Sequence, residues 1–230
     1  MYPSNLLLSE DLRRGHSASW NAMGRAGDFF TAAQRVDMVR CARAAVQCEL
    51  CQQRKQALSP YAVSGTHDGD SILDPELVDM IHRLRTDPGR LTHAWFAQLI
   101  DTTLSQQEYV EVVSVVTTSV IVDTLHQSLG LPLAKLPEPS PGQPQGRFNG
   151  KAVNTGAWVP VMEAATDIAG HGLPSVPNIV RSMGLVPSAV ELFFTTFSPH
   201  YSLADIQLSI SQAQAEFVAA RVSSINECFY

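Results

Sequence analysis

Apolar residues recur along this chain with helical spacing, and no segment keeps the period-two alternation of a half-buried strand. Composition alone would assign Val110 to Val122 to a strand, because eight of its thirteen residues are Val or Ile. Its flanks argue for a helix. Ser105-Gln-Gln-Glu108 is a capping box, and Gly130 followed by Pro132 is a stop, so Ser105 to Leu129 is expected to form one long buried helix.

The same signals place other helices. Thr31 to about Leu58 runs without Gly or Pro and ends at Ser59-Pro60; Asp74-Pro75 caps Glu76 to Arg85; Thr92 to Leu104 follows Pro88-Gly89. Beyond the middle of the chain, Pro177 to Gly184, Pro187 to Phe197, Leu203 to Ser209 and Ser211 to Asn226 read as helices, the last opening with a second capping box, Ser211-Gln-Ala-Gln214. From Leu136 to Gly156 the chain turns Pro- and Gly-rich and loses its period, which marks a linker. The expectation is an all-α fold in two helical units, residues 1–135 and 157–230, joined by a linker at 136–156.

Bulk properties narrow the function. With 230 residues and 45% apolar content the chain can bury a sizeable core. A net charge of −6 and no run of five or six Lys or Arg leave nothing to track a phosphate backbone, so nucleic acid is not expected as a partner. The opening Met1 to Glu10 lacks a basic lead-in and a long apolar run, and no later stretch of about 18 apolar residues suggests a membrane span. The sequence therefore reads as a soluble cytoplasmic protein.

In a reducing compartment, four cysteines point to redox or metal chemistry rather than a disulfide framework. Two of them form the box Cys48-Glu49-Leu50-Cys51. Two sulfurs at i and i+3 in the first turn of a helix can meet, and the helix N-terminus favours the thiolate, so such a box needs a helix break just before it. Cys41, on the same helical face as Cys48, reads as core. Zinc held by Cys41, Cys48 and Cys51 is not expected, because no nearby His at ligand spacing completes four ligands. His82, His93 and His126 read as structural residues on amphipathic helices, while His200 sits between helices and is the histidine to watch.

The segment Ser211 to Tyr230, with Val222-Ser-Ser-Ile-Asn-Glu-Cys228, resembles the signature helix of the alkylhydroperoxidase AhpD / carboxymuconolactone decarboxylase family. Val176-Pro-Asn-Ile-Val-Arg181 is similar to that family's opening helices. The Cys48 to Cys51 box followed by Leu91 to Leu133 looks like its box and later helices. The resemblance implies an AhpD-like helical bundle that forms homo-oligomers and reduces an organic hydroperoxide at the expense of a thiol reductant, without a cofactor. It implies catalytic roles for Cys48 and Cys51, with Glu216 and Cys228 in the places of the family's Glu and first Cys. The first box departs from the pattern: Lys55 stands where the family has His, and Val36, beside Asp37, where it has Glu. A cofactor-free decarboxylase of the same fold and a catalytically silent helical scaffold are the competing expectations.

The second Cys and the His of the C-terminal box would fall at positions 231 and 235, just past Tyr230. Selenocysteine is encoded by a codon otherwise read as stop, and selenium suits a peroxide-attacking position. One expectation is therefore that the native protein continues with selenocysteine at 231; the other is an ordinary shortened fragment. Residues 177 to 230 are expected to share a core with residues 91 to 133.

Overall fold

The computed structural model of the chain describes residues 1–162, 178–200 and 209–225. Its described elements are helices, with no strand beyond an isolated antiparallel pairing of Val153 with Val161. The helices are α1 (Glu10–Met23), α2 (Ala32–Ala44), α3 (Glu49–Gln56), α4 (Pro75–Thr86), α5 (His93–Thr102), α6 (Gln106–Ser128), α7 (Asn178–Met183), α8 (Pro187–Phe197) and α9 (Gln212–Ile225). The all-α expectation is met. Leu203 to Ser209 lies almost wholly outside the described residues, as does Cys228.

Helix α6 is the axis of the fold. Ser105 accepts from the Glu108 amide while Glu108 accepts from the Ser105 amide, closing both arms of the capping box. At the other end Gly130 takes φ +66°, Leu131 donates to the His126 carbonyl at 2.8 Å and Gly130 to that of Gln127 at 3.0 Å, the paired bonds of a Schellman stop. Val112, Val115 and Val122 are fully buried. Contrary to the sequence reading, α6 is long and apolar enough by length and composition to cross a membrane; most of that surface is inside the fold. β-Branched residues lose little by this placement, since packing on all sides outweighs their modest helix penalty of a few tenths of a kcal/mol each.

Two larger cores form around this axis. One gathers Trp20, Met38, Met80, Ile81 and Val115 with Leu192 from α8. The other joins Phe96 and Val110 to Met183, Leu185, Val186 and Phe193. Of the expected shared core between residues 177–230 and 91–133, the described residues show the part from Met183 to Phe193; α9 joins neither cluster. The stretch from 136 to 156 is less a free tether than a strap across the surface. Ser140 donates its amide to Gly24 O (2.8 Å), Gly146 to Asp28 O (2.6 Å) and Asn149 to Leu185 O (2.8 Å). Buried Asp28 takes Arg147 Nε at 2.8 Å and the Ser188 hydroxyl.

The expected single helix from Thr31 to about Leu58 is two helices. Thr31 caps α2 with a complete capping box, but the backbone turns at residues 45–47. Val46, Gln47 and Cys48 donate to carbonyls three residues back, at 3.1–3.3 Å, and Cys48 becomes the extended N-cap of α3 (φ −65°, ψ 126°). No Gly or Pro marks this break. It supplies the interruption that a Cys-x-x-Cys box at a helix N-terminus requires.

A candidate metal centre

Cys48 sits at the N-cap of α3 and Cys51 three residues on, so both sulfurs project from the first turn. Cysteine is a poor cap, and Cys48 makes no side-chain capping bond. The neighbouring loop replaces it: Asp68 Oδ2 accepts from the Glu49 amide at 2.9 Å. That bond brings the residue before Asp68 to the box. His67 Nδ1 stands 3.4 Å from Cys48 Sγ and 3.7 Å from Cys51 Sγ. From α4, His82 Nδ1 reaches Cys51 Sγ at 3.3 Å.

The four ligand atoms of Cys48, Cys51, His67 and His82 lie within 4.8 Å of one another. A tetrahedral zinc ion with bonds of about 2.3 Å to sulfur and about 2.0–2.1 Å to nitrogen has S···N edges of about 3.5 Å. The sulfur–nitrogen separations of 3.3, 3.4 and 3.7 Å bracket that value. Two soft thiolates with two imidazoles are the donor set of zinc rather than of magnesium or calcium. The residues therefore fit a closed, four-ligand site.

The surroundings orient these ligands. His67 Nε2 meets Asp79 Oδ1 at 2.9 Å, leaving Nδ1 free to face the sulfurs. Asp79 also binds Arg83 Nε at 2.7 Å and the Arg54 guanidinium. Arg54 Nε in turn donates to Val63 O at 3.1 Å, and Arg90 donates to the carbonyls of Arg54 and Ala57, both at 2.8 Å, closing the C-terminal end of α3. Arg83 also lies 4.8 Å over the Tyr61 ring.

Without an ion the electrostatics favour a charged His67 and ease the ionisation of Cys48. Burial opposes a charged His67, but the hydrogen bonds to Asp79 and to the two cysteines raise it to about 10. Burial likewise opposes a Cys48 thiolate, yet amide donors from Asp68 and Cys51 with the His67 ring bring its pKa below the ordinary thiol value. Burial, then the nearby His67, lowers His82 to about 4, so its ring is neutral. Asp79 is held well below the usual carboxylate range: burial would raise it, and bonds from His67, Arg83 and Arg54 override burial.

The other expected site residues are elsewhere. Lys55 is exposed on α3, and Val36 is buried. Asp37 accepts from Ser71 Oγ and the Ile72 amide, at 2.7 and 2.8 Å. Cys41 is core and contacts Ser71 Oγ at 3.4 Å, apart from the converging group. Glu216 lies on α9, where Gln212 Nε2 donates to it at 2.6 Å, and is not part of that group. His93 lies tilted against Phe96 and edge-on to Trp158, and buried His126 bonds Val122 O, as structural residues. His200 pairs with His16, Nε2 to Nε2 at 2.6 Å. The expectation that no His completes the ligand set, and that His82 is only structural, is corrected: His67 and His82 both converge on the box. Fifteen residues separate Cys51 from His67 and fourteen separate His67 from His82, spacings that only the fold closes.

Compared with known proteins, the chain matches no family model, no curated protein and no solved structure. The likeness to AhpD-like proteins therefore rests on the motifs alone.

Proposed function

We propose that Cys48, Cys51, His67 and His82 bind one zinc ion, and that this ion clamps α3 and the loop 57–74 onto α4. The observation that carries the reading is the mutual approach within 4.8 Å of four ligand atoms drawn from three places, the first turn of α3, the loop that follows it and α4. Energetics support it. The apolar cluster at the box contains only Cys48, Leu50 and Cys51, with Val63 partly buried against it. So little burial holds a lobe weakly, whereas structural zinc contributes on the order of 10 kcal/mol to the fold it closes. With both sulfurs buried and four protein ligands, the ion's role is structural. Metal analysis of the purified, reduced chain tests this: one zinc per chain is expected, and its removal by a chelator should lower the melting temperature.

A second reading follows the AhpD resemblance: thiol-dependent reduction of a hydroperoxide at Cys48 and Cys51, in the cytoplasm of the cell, by a self-associating protein. The chain Asp79–His67–sulfur favours it, since a carboxylate-held imidazole beside two thiols is the arrangement of a proton relay. Glu216 and Cys228 keep their proposed places in a second, C-terminal box. Steady-state peroxide consumption with a dithiol reductant tests it; a metal-free chain that turns over faster than the zinc-loaded one would favour this reading over the structural ion.

A further inference from the structure

Away from the metal centre, a run of hydrogen bonds ties the opening segment of the chain to the helices. The Tyr2 hydroxyl lies 2.5 Å from His16 Nδ1, and His16 Nε2 lies 2.6 Å from His200 Nε2. His16 is fully buried on α1, while His200 is half-buried in the turn after α8. Burial, then Asp123, pushes the Tyr2 hydroxyl's pKa up, so it keeps a proton to donate. With that proton given to His16 Nδ1, a neutral His16 carries its own proton on Nε2 and gives it to His200. The run therefore has one sense, from Tyr2 through His16 to His200. The opposite sense would leave the Tyr2 proton without an acceptor among the described residues.

We infer that residues 1–8 form a latch that acid opens, with His200 as the sensor and His16 as the link to Tyr2. The inference stands apart from the zinc reading. A proton added to His200 leaves hydrogen on both its ring nitrogens, so its Nε2–H must donate to His16 Nε2. His16 then carries its proton on Nδ1, facing the Tyr2 oxygen, and the Tyr2 hydroxyl hydrogen loses its acceptor. A part-buried donor left unpaired lowers the docked fraction about tenfold or more. A second proton, on His16, sets two cations face to face. The other groups around the pair do not relieve this: His126 of α6 lies tilted against the Tyr2 ring, 4.5 Å between centroids, and the Thr196 carbonyl of α8 faces His16. Asp123 of α6 has both oxygens bonded to Arg43 of α2. Burial first holds both histidines below the ordinary value of 6.5, His16 at about 4. The closed latch thus binds fewer protons than the open one, is shut above about 6.5 and opens as pH falls toward about 4.

Little else holds the segment. Arg13 donates to the carbonyls of Tyr2, Pro3 and Leu6 at 3.1, 3.1 and 2.7 Å, and only Tyr2, Leu6 and Leu8 are half-buried. Opening carries Met1 away from the groove of about 410 Å³ that it lines with Trp20, Asn21 and Lys135, and bares the His126 ring. Nuclear magnetic resonance of the full, nitrogen-15-labelled chain, from about pH 7.5 down to about pH 4.5, tests the latch. At the upper end the His16 proton should sit on Nε2. On acidification His200 should titrate first, the His16 proton should move to Nδ1, and the backbone of residues 2–8 should lose order while α6 stays ordered. His200→Gln keeps an acceptor but takes up no proton, so it should hold residues 2–8 ordered at the lower pH. Tyr2→Phe keeps the ring but has no hydroxyl, so it should raise the open fraction about tenfold at the upper pH and flatten the response. If His200→Gln does not fold, the ring-nitrogen shifts of the wild-type chain still read the reversal. Residues 2–8 ordered throughout, loosening only together with α6, a His16 proton on Nδ1 at the upper pH, or a His200→Gln chain that opens like the wild type overturns the inference.

Discussion

Asp79 Oδ1 lies 2.9 Å from His67 Nε2, on the side of the ring away from Cys48 and Cys51. A carboxylate in that position fixes the imidazole's tautomer and rotation and raises the basicity of the nitrogen that faces the metal. Asp79→Asn should keep the fold and weaken zinc about 10–100-fold, the usual cost of losing such a partner. Competition against a chelator of known affinity measures it. Unchanged affinity would mean that the ring is held by other contacts.

The two histidines differ in origin, one from a loop and one from α4, but count equally as ligands. His82→Ala should abolish stoichiometric zinc binding, whereas His93→Ala, on α5 against Phe96 and Trp158, should leave it intact. Native mass spectrometry of both variants distinguishes the ligand from a neighbouring surface histidine.

The stop of α6 depends on a backbone only glycine adopts without strain. Gly130 has φ +66°, and a methyl group there would meet nothing within 4 Å, so Gly130→Ala isolates the conformational cost. A loss of about 1–2 kcal/mol is expected in denaturant unfolding. No measurable loss would mean that the chain leaves the helix by another route.

Acid should weaken the seam between α1 and the turn after α8. Burial, then His200 and His126, lowers His16 to about 4, against an ordinary 6.5. Between those values the unfolded chain holds a proton that the folded one does not, so stability rises with pH there. It is fully present above about 6.5 and is lost as pH falls toward about 4, with His16 contributing on the order of 3 kcal/mol. His16→Gln should flatten that part of the stability–pH curve; an unchanged slope would assign it to other groups.

Features written in neighbouring residues were legible, and those written across the fold were not. Ser105, Glu108 and Gly130 announce α6 because caps and stops act within a turn, and they outweigh a Val-rich composition that points to a strand. The break before Cys48 escaped notice because Ala44-Ala45-Val46-Gln47 carries no helix breaker. It is stabilised from outside, by Asp68 capping the Glu49 amide across nineteen residues. Cys48 and Cys51 stood out as an i, i+3 pair. His67 lies in an aperiodic loop, and His82 resembles any helical histidine until α4 turns it toward Cys51. A search for four ligands at short spacing misses such a site, while counting Cys-x-x-Cys with two downstream histidines at any spacing would have raised it.

The central claim is a Cys₂His₂ ion between α3, the 57–74 loop and α4, and X-ray absorption at the zinc edge of the reduced, zinc-loaded chain tests it most directly. The account predicts two sulfur scatterers at about 2.3 Å and two imidazole nitrogens at about 2.0–2.1 Å, with four ligands in all. A shell of oxygens and nitrogens without sulfur, or a chain that retains no zinc to measure, would contradict it.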